Sequence, residues 1–155
     1  MILYLVQHAE SKSRSEDPAK GLTDRGFFTT RKTAHYMAGL NVTRPSVIFH
    51  SGKKRAEQTA MILKDELNPP KGFMPTNGLA PDDDPNYWAE KLKHETTPIM
   101  LVGHLPHLER LASLLINGDG EKKVVDFKNA GIVCLHRGRG MHWWMEWIIT
   151  PDLVR

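Results

Sequence analysis

Short apolar runs alternate along the chain with longer segments in which apolar residues recur at helical spacing. Three runs are continuous, ILYLV at 2–6, SVIFH at 46–50 and PIMLVG at 98–103, as is typical of strands buried on both faces of a sheet. The closing run GIVCLHRGRGMHWWMEWII, residues 131–149, predicts two strands around a glycine-rich turn at 138–140.

Four amphipathic segments predict helices between and after these runs. Thr23 is a good N-cap for the first helix, and Gly39 is a plausible stop for it. Asp84 followed by Pro85 is typical of an N-cap and first helical residue, and so begins the third helix. The predicted helical segments are 24–40, 53–67, 85–95 and 105–116.

The alternation of strands and helices predicts an α/β fold. Right-handed crossovers should place helices on both faces, which gives a three-layer α/β/α domain with a mostly parallel sheet. The closing hairpin should add antiparallel edge strands. No internal linker interrupts the pattern, so residues 1–155 are expected to form one domain, with residues 68–83 as a loop before the third helix.

Composition narrows the classes of partner and site. The formal charge of +3 suits an anionic ligand but is too small to indicate nucleic acid. The single cysteine, Cys134, excludes an intramolecular disulfide and a cysteine-cluster metal site, and its apolar surroundings predict a buried thiol. No apolar run approaches the roughly 20 residues of a membrane span, and no leader pattern is seen, so we expect a cytoplasmic protein without a membrane partner.

Candidate chemistry follows the ends of the three apolar strands. His8 follows the first strand, Ser51 to Arg55 follow the second, and His104 follows the third. Parallel strands share one carboxyl edge, so these residues should meet in one cleft.

A metal site is the natural alternative for a histidine pair, but Arg55 would repel a cation there. His104 and His107 form an HxxH spacing, yet we expect His107 to be exposed in the first helical turn.

The start of the second helix carries an unusual charge pattern. Lys53, Lys54 and Arg55 crowd its N-terminus, whereas the helix dipole favours acidic residues there by about 0.3–1 kcal/mol per charge. A bound anion would remove this conflict, because backbone N–H groups and cations would converge on it. The alternative is a solvated basic turn. Arg55 is the best candidate to face inward, since a guanidinium can fork onto two phosphate oxygens.

Several motifs, taken in order, resemble the histidine phosphatase superfamily. The matching stretches are LVQHAES, GLTDRG, HSGKKRAEQTA, LAPDDDP and LVGHLPHLERLASLL. They are most similar to the small branch of SixA-type phosphohistidine phosphatases, and the resemblance covers nearly the whole chain. It implies a phosphoglycerate mutase-like fold without the large helical insertion of the longer relatives.

The resemblance also implies roles for individual residues. His8 would be the nucleophile, and Arg55 would bind the phosphoryl group. His104 would be the second histidine, which hydrogen-bonds and neutralises that group, and Ser51 would help to shape the pocket. Such chemistry needs no metal and no other cofactor.

The first motif departs from the family pattern. The family reads Arg-His-Gly where this chain reads Gln7-His8-Ala9. Gln7 can still donate a hydrogen bond to phosphate, but it brings no charge. Ala9 in place of glycine predicts an ordinary negative φ. Four basic residues are candidates to compensate for the missing arginine: Lys12, Arg14, Lys53 and Lys54.

The second departure from the family pattern concerns which residue would act as the general acid. Larger relatives use a carboxyl group to protonate the leaving atom, and the candidates here are Asp82, Asp83 and Asp84. Asp84 is already explained as a helix cap, and the other two are solvated in the alternative interpretation. A phosphohistidine substrate would depend less on such an acid, because its leaving nitrogen can be protonated beforehand.

The sequence therefore predicts a phosphatase that forms a covalent phosphohistidine, acting on phosphohistidine in a protein such as a phosphotransfer domain. Hydrolysis of a small phosphate ester is the first alternative. A non-catalytic phosphate-binding module is the second, and it is motivated by Gln7. Nucleic-acid binding has little support, because the tryptophans are explained by packing.

Overall fold

The computed structural model describes residues 1–155 and contains six strands and four helices. No helix in it has both the length and the apolar character that crossing a membrane requires. In chain order the elements are β1 (Ile2–Gln7), α1 (Asp24–Ala38), β2 (Val47–His50), α2 (Lys54–Leu67), β3 (Phe73–Pro75), α3 (Pro85–His94), β4 (Ile99–Gly103), α4 (His107–Asn117), β5 (Ile132–Arg137) and β6 (Trp143–Ile149).

The six strands form one mixed sheet in the order β3-β2-β4-β1-β5-β6. The first four strands of the chain pair in parallel, whereas β5 pairs antiparallel with β1 and with β6. In the central pair, Gln7 lies opposite Gly103, so β1 and β4 end side by side. The predicted mostly parallel sheet with a C-terminal antiparallel hairpin is confirmed.

Two apolar cores, one on each face of the sheet, hold the helices in place. Leu3 and Leu5 of β1 pack in the core that also contains residues of α3 and α4. Tyr4 and Val6 point the other way, into the core shared with α1 and α2. Alternate side chains of a strand face opposite sides, so a continuous apolar strand serves both cores. The predicted three-layer α/β/α architecture is therefore confirmed.

The helix ends agree with the capping residues found in the sequence. Thr23 accepts a hydrogen bond from the Gly26 N–H at 3.0 Å at the start of α1. Asp84 accepts one from the Asn86 N–H at 2.9 Å at the start of α3. Each cap satisfies a backbone donor that has no partner within its helix. Both N-cap predictions are confirmed.

One short strand lies where the sequence predicts a loop. Strand β3 covers only Phe73–Pro75 and pairs in parallel with β2 at the edge of the sheet. Phe-Met-Pro is too short an apolar run to indicate a strand and ends in proline, so the strand depends on pairing with β2 rather than on its own pattern. Cys134, in contrast, is buried as predicted.

Candidate functional site

The two predicted catalytic histidines meet at the carboxyl edge of the sheet. His8 follows β1, and its backbone N–H donates a hydrogen bond of 3.0 Å to the Gly103 carbonyl at the end of β4. This bond extends the β1–β4 ladder to the residue before His104. The ring centroids of His8 and His104 lie 5.0 Å apart at an angle of 51°. Parallel pairing of two strands distant in sequence thus forms the centre of the site.

The His8 ring is oriented by its own backbone. Its Nδ1 lies 2.7 Å from the Ala9 carbonyl oxygen, which can only accept a hydrogen bond. Nδ1 must therefore carry the proton in this contact, and Nε2 keeps its lone pair. A neutral imidazole with a lone pair on Nε2 is the form that attacks phosphorus.

The residue after His8 connects the nucleophile to helix α2. Ala9 is fully buried and has a negative φ, as predicted. Its N–H donates to the Thr59 hydroxyl at 3.0 Å, and that hydroxyl donates to the Arg55 carbonyl at 2.8 Å. The first turn of α2 is thereby held beside His8.

Arg55 lies in that first turn as an unpaired cation. It is half-buried, and none of the ion pairs in the structure involves it. Burial lowers the pKa of its guanidinium, and the nearby charge of Arg14 lowers it further. Lys53, which directly precedes α2, is its N-cap but makes no side-chain hydrogen bond to the first turn. A partly buried cation without a carboxylate, at an uncapped helix start, favours an anionic ligand.

Ser51 holds the second histidine. The Nε2 atom of His104 lies 2.6 Å from the Ser51 hydroxyl oxygen, which also accepts a hydrogen bond of 3.3 Å from the Lys53 N–H. His104 is 1% exposed, and its Nδ1 has no hydrogen-bond partner. Ser51, predicted to shape the pocket, therefore orients His104 directly.

The surroundings of both histidines favour the neutral ring. Burial, aided by the charges of Arg55 and Lys20, lowers the pKa of His8 to about 4, although the bond to Ala9 opposes this shift. Burial, together with the fields of His8, Arg55 and Lys53, lowers the pKa of His104 to about 3. Both rings are neutral at pH 7, and a bound anion would compensate for the cations around them.

We expect the two rings to remain neutral far below the ordinary histidine pKa. In NMR titrations of the anion-free protein, the ring signals of His8 and His104 should shift only as the pH approaches about 4. Histidines of the unfolded chain bind protons near pH 6.5, so acidification below that value should also destabilise the fold. Saturating tungstate should move both midpoints upward. A midpoint near 6.5 for either ring without an anion would contradict this interpretation.

The side chain of Gln7, next to His8, is held by a hydrogen bond to Asn129. It is half-buried at the end of β1, and its Nε2 donates to Oδ1 of Asn129 at 3.2 Å. Its Oε1 is buried without a partner. The side chain adds hydrogen-bonding capacity next to His8 but no charge.

The structure shows which basic side chains could compensate for the missing charge at Gln7. Lys54 pairs with Asp17 at 3.6 Å, so it is not free to compensate for Gln7. The positive charge of Lys53 lowers the pKa of His104, and that of Lys20 lowers the pKa of His8. Lys20, which the sequence analysis missed, has a φ of 53°, a conformation that is uncommon for residues other than glycine. No pattern in the polar loop from 10 to 20 could have identified it.

The three candidate acids are not equivalent. A cleft of about 440 Å³ beside Ser51 is lined by Asp83 and Asp84, but not by Asp82, which is exposed. Hydrogen bonds from Asn86 lower the pKa of Asp84, which makes it a poorer proton donor. Asp83 accepts a hydrogen bond from a backbone N–H within its own loop at 2.9 Å. Of the three, Asp83 has the better position for a general acid, and that role stays a prediction.

The expectation for His107 was wrong. Its side chain is completely buried, and neither ring nitrogen has a hydrogen-bond partner. Burial lowers its pKa, while the charges of Asp83 and Asp84 act in the opposite direction. The first turn of α4 faces the loop that carries these carboxylates rather than solvent. This loop becomes a neighbour of α4 only in the folded sheet, so the local sequence could not reveal the burial.

A second cleft flanks the site on the Gln7 side. It has a volume of about 680 Å³, and most of its lining residues are polar or charged. Its lining includes Glu10, Arg25, Phe28, Lys32 and Asn129. Phe28 is 65% exposed at this position. The two clefts thus flank the histidine pair through its hydrogen-bonded neighbours: Ser51, which bonds His104, lines the first, and Asn129, which bonds Gln7, lines the second.

Comparisons with known proteins show which fold this is. A scan of protein-family models and a search of curated sequences found no match to the chain. Among solved structures, the protein histidine phosphatase SixA in complex with tungstate matches with a TM-score of 0.85 and 22% identity, covering 99% of each chain. The assigned phosphohistidine phosphatase SixA of Agrobacterium tumefaciens matches with a TM-score of 0.76 and 23% identity, covering 97% of each chain.

A small-molecule enzyme of the same fold also matches. The assigned alpha-ribazole-5'-P phosphatase of Escherichia coli has a TM-score of 0.74 at 14% identity, over 97% of this chain and 98% of that one. The chain therefore has the fold shared by SixA phosphohistidine phosphatases and related phosphatases, and the family resemblance is confirmed at the level of fold.

Proposed function

We propose that this protein is a metal-independent phosphatase that transfers a phosphoryl group to His8 and then to water. The observation that carries the proposal is the juxtaposition of His8 and His104, with ring centroids 5.0 Å apart, beside the unpaired cation Arg55. A neutral nucleophile, a second buried histidine and a guanidinium are the groups that such a transfer needs.

The first step forms one bond and breaks one. The Nε2 lone pair of neutral His8 attacks phosphorus, so a P–N bond forms while the bond to the leaving atom breaks. The leaving atom takes a proton from solvent or from Asp83. Arg55 and His104 stabilise the negative charge on the equatorial oxygens, which is the main source of catalysis in phosphoryl transfer.

The second step returns the enzyme to its starting state. Water attacks the phosphorus of phosphorylated His8, the P–N bond breaks, and inorganic phosphate leaves with the oxygen of that water. The ring of His8 becomes neutral again, with its Nδ1 proton still held by the Ala9 carbonyl. One substrate molecule and one water are consumed in each cycle.

We infer that the substrate is phosphohistidine in a protein, such as a cytoplasmic phosphotransfer domain. The support is that two surface clefts, one lined by Ser51 and the other by Asn129, flank the site, which leaves room for a protein surface to approach. The fold similarity to the SixA protein histidine phosphatase agrees with this inference. A nitrogen leaving group, protonated beforehand, would also tolerate a weak general acid.

A small phosphate ester is the second candidate substrate. The cleft of about 440 Å³ beside Ser51 is large enough for a metabolite, and its wall carries Asp83, Asp84 and Tyr87. The match to an alpha-ribazole-5'-P phosphatase fits this version. The two candidates require the same chemistry at His8 and differ only in the leaving group.

A direct comparison of substrates tests the proposal. We expect the purified protein to release phosphate from a phosphohistidine-bearing phosphotransfer domain faster than it does from p-nitrophenyl phosphate or a panel of metabolite phosphates. Full activity should persist in the presence of EDTA. A strong preference for one metabolite would favour the second candidate, and no release from any substrate would contradict the enzyme.

A further inference from the structure

The amide of Gln7 has a partner that lies far away in the sequence. Its Nε2 donates to Oδ1 of Asn129 at 3.2 Å, and the two residues are 122 positions apart. Asn129 precedes β5, which is the neighbour of β1 in the sheet. The contact is therefore made across the carboxyl edge, next to the proposed nucleophile.

The backbone around Asn129 is held firmly in this position. The N–H of Ala130 donates to the Gln7 carbonyl at 3.0 Å, and the Thr33 hydroxyl donates to the Ala130 carbonyl at 2.9 Å. Ala130 has a φ of 61°, a left-handed conformation that a residue with a Cβ adopts only when its surroundings impose it. A segment fixed on both sides delivers the Asn129 side chain to Gln7.

Fixing the Gln7 amide before a ligand binds lowers the entropic cost of using it as a donor. Glutamine has three rotatable side-chain bonds and no charge, so a mobile Gln7 would lose much rotamer entropy on donating to a phosphoryl oxygen. The bond to Asn129 removes that freedom before any ligand binds. It uses only one N–H of Nε2, and the second N–H stays available to an anion.

We propose that Asn129 is a positioning residue that holds Gln7 ready to donate to the phosphoryl group. The inference rests on the proposed function, because it concerns the same phosphate site. Asn129 acts through Gln7 and need not touch the substrate. The pair restores part of the fixed hydrogen bonding of an arginine, without its charge.

A double-mutant cycle on tungstate binding tests this inference. We expect Asn129→Ala to weaken tungstate affinity about threefold to tenfold in the wild-type background. The same substitution should have no effect in a Gln7→Ala background, because the group it positions is gone. Asn41 is an exposed asparagine just beyond the C-terminal end of α1, so Asn41→Ala is the matched control and should change nothing. Tungstate binding requires no turnover, so a failure of the proposed phosphatase activity would be seen separately.

A second variant separates positioning from general damage to the fold. In Asn129→Asp a carboxylate oxygen can still accept from Gln7, so the side-chain amide signals of Gln7 should stay ordered in NMR relaxation measurements. In Asn129→Ala these signals should show fast motion. An equal loss of affinity with and without Gln7, no loss at all, or an ordered Gln7 amide in Asn129→Ala would each overturn the proposal.

Discussion

Replacing His8 by alanine is expected to lower phosphate release by about 10³- to 10⁵-fold, because no other group can accept the phosphoryl group in this site. The only other histidine next to it, His104, is held through Nε2 by Ser51 and is 1% exposed. Tungstate should still bind to His8→Ala, since Arg55 is unchanged. Phosphate release from a phosphotransfer domain and tungstate titration would check both parts.

The control for this experiment is an exposed histidine at the opposite edge of the sheet. His94, at the end of α3, makes no hydrogen bond or ion pair through its side chain in the structure, so His94→Ala should keep full activity. Rapid denaturation of the wild-type enzyme during turnover should in addition reveal one acid-labile phosphoryl group on a histidine. Equal rates for wild type and His8→Ala would show that His8 is not the nucleophile.

Replacing Gln7 by arginine is expected to raise kcat/KM about tenfold to hundredfold. A single preorganised donor to developing charge contributes about 3–4 kcal/mol, and a guanidinium adds charge as well as donors. The gain should be smaller than that full value, because Asn129 currently holds the Gln7 amide and would compete for the new side chain. Initial rates with the phosphotransfer domain would measure the gain.

Two further variants identify the cause of any gain. Asn41→Arg adds the same charge beyond the C-terminal end of α1 and should leave kcat/KM unchanged. Gln7→Lys adds a charge but cannot donate two parallel hydrogen bonds as a guanidinium does, so it should give a smaller gain than arginine. If wild type has no turnover while Gln7→Arg does, the natural protein is a phosphate-binding module. If Gln7→Arg does not accelerate the reaction, the missing charge is supplied from elsewhere, and Lys20 is then the first residue to test.

The sequence by itself determined the fold class and the centre of the site. Continuous apolar runs identified β1, β2 and β4, and Thr23 and Asp84 marked helix starts, because strand burial and capping are local properties. The meeting of His8 with His104 needed only one more premise, which is that parallel strands end at a common edge.

Only the tertiary structure decided what surrounds that centre. It showed that His107 is buried and that the charge of Lys20 lowers the pKa of His8. It also showed that Asn129 accepts a hydrogen bond from the Gln7 amide. Each of these depends on a loop packing against an element distant in sequence, and the pattern of a loop does not encode its distant neighbours. The same holds for β3, which exists because β2 offers an open edge. Local patterns specify elements, whereas long-range packing specifies the charges and hydrogen bonds of the site.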